Sequence, residues 1–197
     1  MATFFDELPS SYTTVTISNA DNAISTVQFL DSTHSLTRLF NNLGSAFSIV
    51  STDMHGNITK IRASYDKDPT KCGTLQELVK TKLAAKETTG VDALLWLKRG
   101  LQFTASGLRR NLNNPTEELS VSFNKAYEGG LSKHHNFMIR NVFSLAMKVC
   151  PSRADFYAKL AGSDPAKMKE QLEAWLAALE KQVAIIDEFL RTLNIEK

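Results

Sequence analysis

Apolar residues recur along this chain at the three- and four-residue spacing of amphipathic helices, with short polar breaks between the runs and no strand-like alternation. The spacing predicts a first helix over residues 22–42, with Ile24, Val27, Leu30, Leu36, Leu39, Phe40 and Leu43 as apolar positions and Asn41-Asn42-Leu43-Gly44 as its end. A second helix over 47–65 closes at Lys67-Asp68-Pro69, since the residue before a proline resists the helical conformation. Helices are expected over 74–86 and 91–112, the latter interrupted in propensity by Gly100 and Gly107. Pro115-Thr116-Glu117-Glu118 marks another start, and Gly129-Gly130 a stop. The next helix is expected over 133–149, with His135, Ile139, Val142, Phe143 and Ala146 on one face and Pro151 beyond its end. Ser163-Asp164-Pro165 then caps a long helix whose Met168, Leu172, Trp175, Leu179, Val183, Ile186, Phe189 and Leu193 should wall the core. Phe4 and Phe5 are placed to tack the N-terminus onto the body.

One stretch departs from this pattern. In Ser51 to Arg62, at about 100° per residue, Asp53, Asn57 and Lys60 fall within roughly 60° of one another, so a carboxylate, a carboxamide and an ammonium share a stripe. Val50, Met54, Ile58 and Ile61 form an apolar stripe roughly 90° away, so one face can pack while the next lines a cleft. Gly56 beside the polar stripe costs about 1 kcal/mol relative to alanine in a helix interior, which points to a close neighbour or a ligand. Taken alone, the stripe fits a solvated face carrying an i, i+7 charge pair better than a ligand site.

The 197 residues, 43% hydrophobic and 22% charged, fit one globular domain over 1–197 with a substantial core. Net charge is +2 with a pI near 8.5, and lysines and arginines are dispersed, which argues against a nucleic-acid footprint while permitting weak attraction to an anionic membrane. Two isolated cysteines, Cys72 and Cys150, make neither a disulfide framework nor a thiolate metal site. The N-terminus lacks a basic segment followed by an apolar one, and no apolar run approaches about 18 residues, so a soluble cytoplasmic protein is expected. In that setting the glycosylation sequon Asn57-Ile58-Thr59 is accidental.

Catalytic templates are missing: there is no G-x-S-x-G, H-E-x-x-H, phosphate-binding loop or G-x-G-x-x-G. His134 and His135, about 100° apart on a helix, are poorly placed to share a metal. No enzyme activity, cofactor or metal is expected.

Three motifs in order carry a resemblance: Asp53-Met54-His55-Gly56-Asn57-Ile58-Thr59-Lys60-Ile61, the segment LLWLKRGL from Leu94 to Leu101, and His135 ahead of Ile139 and Phe143. With Leu43-Gly44-Ser45 upstream and Cys150-Pro151 and Asp155-Phe156 downstream, the chain resembles the glycolipid transfer protein family over nearly its whole length, most of all its fungal heterokaryon-incompatibility members. The resemblance implies an all-α, two-layer helical fold enclosing a hydrophobic tunnel that holds one sphingolipid. Carried over, Asp53 and Asn57 would bond the first sugar's hydroxyls and Lys60 would reach the same sugar, while Trp96 would stack on its ring. His135 would hold the ceramide carbonyl, and Asp53 would also accept from the amide N–H. Phe40, Phe47, Val142 and Phe143 would line the tunnel or serve as plain core. The implied partners are a glycosphingolipid such as glucosyl- or galactosylceramide and, transiently, a membrane surface, met by a monomer.

The two halves of such a site do different work. At about 0.8 kcal/mol per buried CH₂, exposing a ceramide's roughly 30 methylenes would cost on the order of 20 kcal/mol, far more than the roughly 0.5–3 kcal/mol of each headgroup bond. The sleeve therefore makes extraction possible and the polar stripe selects. Ceramide-1-phosphate binders of the wider superfamily carry arginines where Trp96 and Gly100 stand here, which favours a sugar over a phosphate. The fungal relatives also raise an alternative role as a lipid-loaded signalling protein in cell death. Three positions depart from the animal pattern. Phe137 replaces a membrane-facing tryptophan, and Asp92, one turn before Trp96, offers a second carboxylate near the sugar. The chain ends at Ile195-Glu196-Lys197 without an aromatic tail, so control by such a tail is not expected.

Overall fold

The computed structural model describes residues 2–44 and 47–195; Ser45 and the terminal Glu196 and Lys197, invoked above, lie outside them. Among the described residues there are eight α-helices and no strand: α1 (Thr26–Leu43), α2 (Ser48–Asp66), α3 (Leu75–Ala84), α4 (Thr89–Asn113), α5 (Leu119–Gly129), α6 (Phe137–Lys148), α7 (Arg153–Ala161) and α8 (Pro165–Thr192). The fold is all-α, as the periodicity predicts.

Helix α4 is the hub, packing on α2, α5, α8 and α3, while α1 covers α2 and α7 packs on α8. Its glycines make this possible. A Cβ on Gly107 would lie 2.6 Å from the Phe123 ring of α5, so glycine there lets the two helices approach closely, while one on Gly100 would lie 3.2 Å from the end of the Met54 side chain of α2, which would have to give slightly. Gly56 differs: nothing lies within 4 Å of its Cβ position, so no neighbouring protein group accounts for it. The long stripe of α8, from Met168 through Trp175 to Ile186, is buried as expected, behind an Asp164 side-chain cap and Pro165. Phe5 meets Trp175 at 5.9 Å between ring centroids and the Phe4 amide donates to the Leu160 carbonyl, tacking down the N-terminus. On the other side of the hub, buried Lys98 reaches Asp187 at 2.7 Å and ties α4 to α8.

Three local outcomes correct the pattern. Residues 22–25 are not helical: Asn22 takes a left-handed φ of 56° and Ile17–Ile24 and Ser25–Thr74 form isolated antiparallel bridges. Helix α7 is additional; Ser152 and Asp155 form its start, the Asp155 amide donating to Ser152 Oγ at 3.1 Å, a capping signal legible in the sequence. Most important, 133–149 is not one helix. Leu131–His134 is a short 3-10 turn, His135 is extended (φ −104°, ψ 139°), and Asn136 caps α6 by accepting from the Ile139 amide at 3.0 Å. An asparagine that bonds its own backbone favours a cap over a helix interior, and that preference wins here.

Candidate functional site

Because α2 packs on α4 and the capped break precedes α6, three segments wall one cleft of about 440 Å³. Asp53, Asn57 and Lys60 enter it from α2, Trp96 from α4, and His135 from the extended link before α6, so all five expected headgroup residues share it. Met54, Ile139 and Phe143 supply apolar wall.

On α2, Asn57 Nδ2 donates to Asp53 Oδ2 at 3.1 Å. Asn57 is 4% exposed, which also removes it as a glycan acceptor. Water reaches Asp53 from the mouth, yet the walls behind it desolvate the carboxylate and raise its pKa, partly offset by Lys60 and by the Asn57 bond. Trp96, 36% exposed, lies nearly parallel to His135 (15°, centroids 6.1 Å apart), and the Arg99 guanidinium sits 5.0 Å from the indole centroid.

His135 is the most closely held member. Tyr127 Oη of α5 pairs with its Nδ1 at 3.0 Å, Phe143 packs against its ring at 4.9 Å, and Arg140 Nε donates to the carbonyls of both Ser132 and His135 at 2.9 Å. Burial, followed by the nearby charges of His134 and Arg140, lowers its pKa, so the imidazole is neutral at pH 7 with one donor and one acceptor. Tyr127 and Arg140, which hold His135 and its link in place, are neighbours that the sequence reading missed. Their role depends on a link it took for helix.

The remaining predicted residues fall elsewhere. Asp92 is exposed and does not line the cleft. Phe40 and Phe47 are buried and stacked (11°, 6.1 Å), and rings in contact continue through Phe123 and Phe103 to Phe143 at the cleft. Val142 is 38% exposed and sits on the outward stripe of α6 with Met138, Leu145 and Val149. Phe137, 78% exposed, heads that same helix. Among the described residues, no three His, Cys, Asp or Glu side chains gather as a metal site, and no helix is long and apolar enough to cross a membrane.

Comparison with known proteins gives a consistent picture. The family described as Glycolipid transfer protein (GLTP) matches residues 24–162. The glycolipid transfer protein of Aureobasidium melanogenum is 50% identical over 95% of this chain and 92% of its own. Human pleckstrin homology domain-containing family A member 8 is 32% identical over 98% of the chain, which spans 40% of that protein's length. Among solved structures, the fungal glycolipid transfer protein HET-C2 superposes with a TM-score of 0.93 at 44% identity, covering 96% of this chain and 97% of the other. The mouse ceramide-1-phosphate transfer protein, at 18% identity and a TM-score of 0.83, shares the fold.

Proposed function

The chain belongs to the glycolipid transfer protein family, whose members transfer lipids and are not enzymes, and from that premise we propose that it carries one glycosphingolipid between membranes with the first sugar seated in the α2–α4–α6 cleft. The observation that carries this reading is the convergence of a carboxylate, carboxamide, ammonium, indole and imidazole on one cleft with an aromatic interior behind it.

Each group has a task that its chemistry suits. The Asn57–Asp53 bond fixes both side chains and leaves the Asn57 amide oxygen and the second Asp53 oxygen to accept from sugar hydroxyls. Lys60 adds a donor, and Trp96 offers an apolar face to the ring. The Tyr127 hydroxyl, 3.0 Å from Nδ1, can donate to it, and in that tautomer the neutral His135 carries its proton on Nε2 and presents it to the ceramide carbonyl. The acyl chains follow the rings from Phe143 toward the core, which requires the helices around α6 to part. The exposed Phe137, Met138, Leu145 and Val149, with Arg140 and Lys148 among them, form the face that meets the membrane.

A sugar suits the cleft better than a phosphate. The Met54 side chain lies 3.2 Å from the Cβ position of Gly100, so an arginine there would have to push it aside, and Trp96 supplies a platform rather than a fork of donors. The direct test is transfer from donor to acceptor vesicles of glucosylceramide or galactosylceramide against ceramide-1-phosphate. Glycolipid transfer that Asp53→Val and Trp96→Ala abolish is expected. Faster transfer of the phosphate lipid overturns the assignment.

A further inference from the structure

Sulfur is divided unevenly between the inside and the outside of this fold. Among the described residues Met54, Met147, Met168 and Cys72 are buried and Cys150 is partly so, whereas Met138 is 73% exposed. Met138 and Met147 stand nine residues apart on α6, which at about 100° per residue puts them on opposite sides of the helix, Met147 in the core and Met138 facing out. On the outward stripe Met138, Val142 and Leu145 fall within about 60° of one another, with Phe137 to one side, so the thioether sits among the apolar side chains of that face. The cysteines compete poorly for an oxidant. A thiol reacts as its thiolate, and burial holds both thiols protonated, Cys150 with a pKa pushed up to about 11.

We propose that Met138 is an oxidation site through which a hydroperoxide releases the chain from a membrane. A lone pair of the thioether sulfur attacks the terminal oxygen of the hydroperoxide, the O–O bond breaks and an S–O bond forms. The proton of that oxygen passes to the departing one, which leaves as water or an alcohol. Sulfur loses two electrons and the peroxide gains them. Two thiols reverse the step, taking the oxygen away as water and leaving as a disulfide. The sulfoxide is a strong hydrogen-bond acceptor on a face that must shed water to enter a bilayer, so docking is opposed by the cost of burying a polar group without a partner. Met138 does not line the sugar cleft, so headgroup binding is spared. The inference rests on the docking role given to this face above.

Limited treatment with hydrogen peroxide, followed by peptide mass spectrometry and by sedimentation with phosphatidylcholine vesicles, tests it. Met138 should gain one oxygen well before Met54, Met147 or Met168, and vesicle affinity should fall about fivefold or more, while a short-chain glycolipid in solution still binds. A sulfoxide reductase supplied with a dithiol should restore the affinity. With each protein compared with its own untreated sample, Met138→Leu should lose nothing on treatment, which also separates Met138 from every other oxidisable side chain. Equal oxidation of the buried methionines, or an equal loss in Met138→Leu, overturns the proposal. So does an oxidised Met138 that leaves vesicle affinity unchanged. In that event untreated Met138→Gln tells the two readings apart: weakened vesicle binding leaves the docking face standing without the switch, and wild-type binding removes both.

Discussion

Tyr127 Oη stands 3.0 Å from His135 Nδ1, across a link that belongs to neither the preceding 3-10 turn nor α6. The bond ties the imidazole's orientation to α5, and Tyr127 also stacks on Phe143 at 4.8 Å, so its ring has a packing role separable from its hydroxyl. Tyr127→Phe keeps the ring and removes the bond. The expected result is an unchanged fold with glycolipid affinity lowered about three- to tenfold, the worth of one ordinary hydrogen bond. Tryptophan fluorescence titration with galactosylceramide reads this out. Unaltered affinity would falsify the claim that Tyr127 sets the imidazole's proton.

Asp53 places stability and binding in opposition. Its pKa is raised in the folded chain because its walls desolvate it, so the native state holds the proton more tightly than the unfolded chain does. A raised carboxyl contributes stability below the unfolded pKa, and that contribution is lost as pH rises through the folded value. At neutral pH the ionised carboxylate is therefore a small liability, one that the proposed headgroup role accounts for. Asp53→Asn is expected to raise the melting temperature of the lipid-free chain at pH 7 while weakening glycolipid binding roughly tenfold or more, the range for a charged hydrogen bond. A variant that is less stable at pH 7, or binds equally well, contradicts this.

His135 sets the acid side of the same pH dependence. Its pKa is lowered by burial, so the neutral form is the native one. A depressed imidazole contributes stability above the unfolded value near 6.5, and that contribution is lost as pH falls toward the folded value. Binding should weaken over the same descent, and protonation of Asp53 weakens it further. Calorimetric titrations from pH 7 downward check this: His135→Gln should remove the imidazole's share of the pH dependence and leave the share that Asp53→Asn removes.

The outward stripe of α6 predicts a separable docking defect. Phe137 and Met138 are 78% and 73% exposed, an expensive placement for large apolar groups unless something apolar covers them part of the time. Replacing both by alanine is expected to lower vesicle affinity about tenfold or more, since fully burying such side chains is worth about 1.5–3 kcal/mol each. Binding of a short-chain glycolipid presented in solution should be unchanged. A double variant that sediments with vesicles as wild type does would refute the docking role.

How much of this was legible in the sequence depended on whether the signal was local. The polar stripe of α2 and the stripe of α8 follow from helical period alone, and both are as expected. The break at His135 was missed because Ile139, Phe143 and Ala146 carry the period through a stretch where Asn136 takes the backbone for its own cap. That one-residue competition moved His135 from a helix face onto a link and brought Tyr127 and Arg140 to it, which spacing could not reveal. Val142 was grouped with Phe143 because neighbours on a helix look alike in sequence, but whether a stripe faces the core or the solvent depends on packing against α5.

Two glycines that look alike in sequence should respond oppositely to the same change. Gly107 sits where α4 crosses α5, and an added methyl would lie 2.6 Å from the Phe123 ring, a buried group in contact with Phe47 and Phe103 that has no free direction to move. Overpacking of that kind costs about 1–3 kcal/mol, more than alanine's better helix propensity returns. Gly56, on the exposed turn of α2, has nothing within 4 Å, so alanine there should stabilise by up to about 1 kcal/mol. Urea unfolding of Gly107→Ala and Gly56→Ala against wild type measures both signs. If Gly56→Ala gains the stability but loses glycolipid transfer, its open space is reserved for the ligand, which also explains why glycine occupies a helix position that it disfavours.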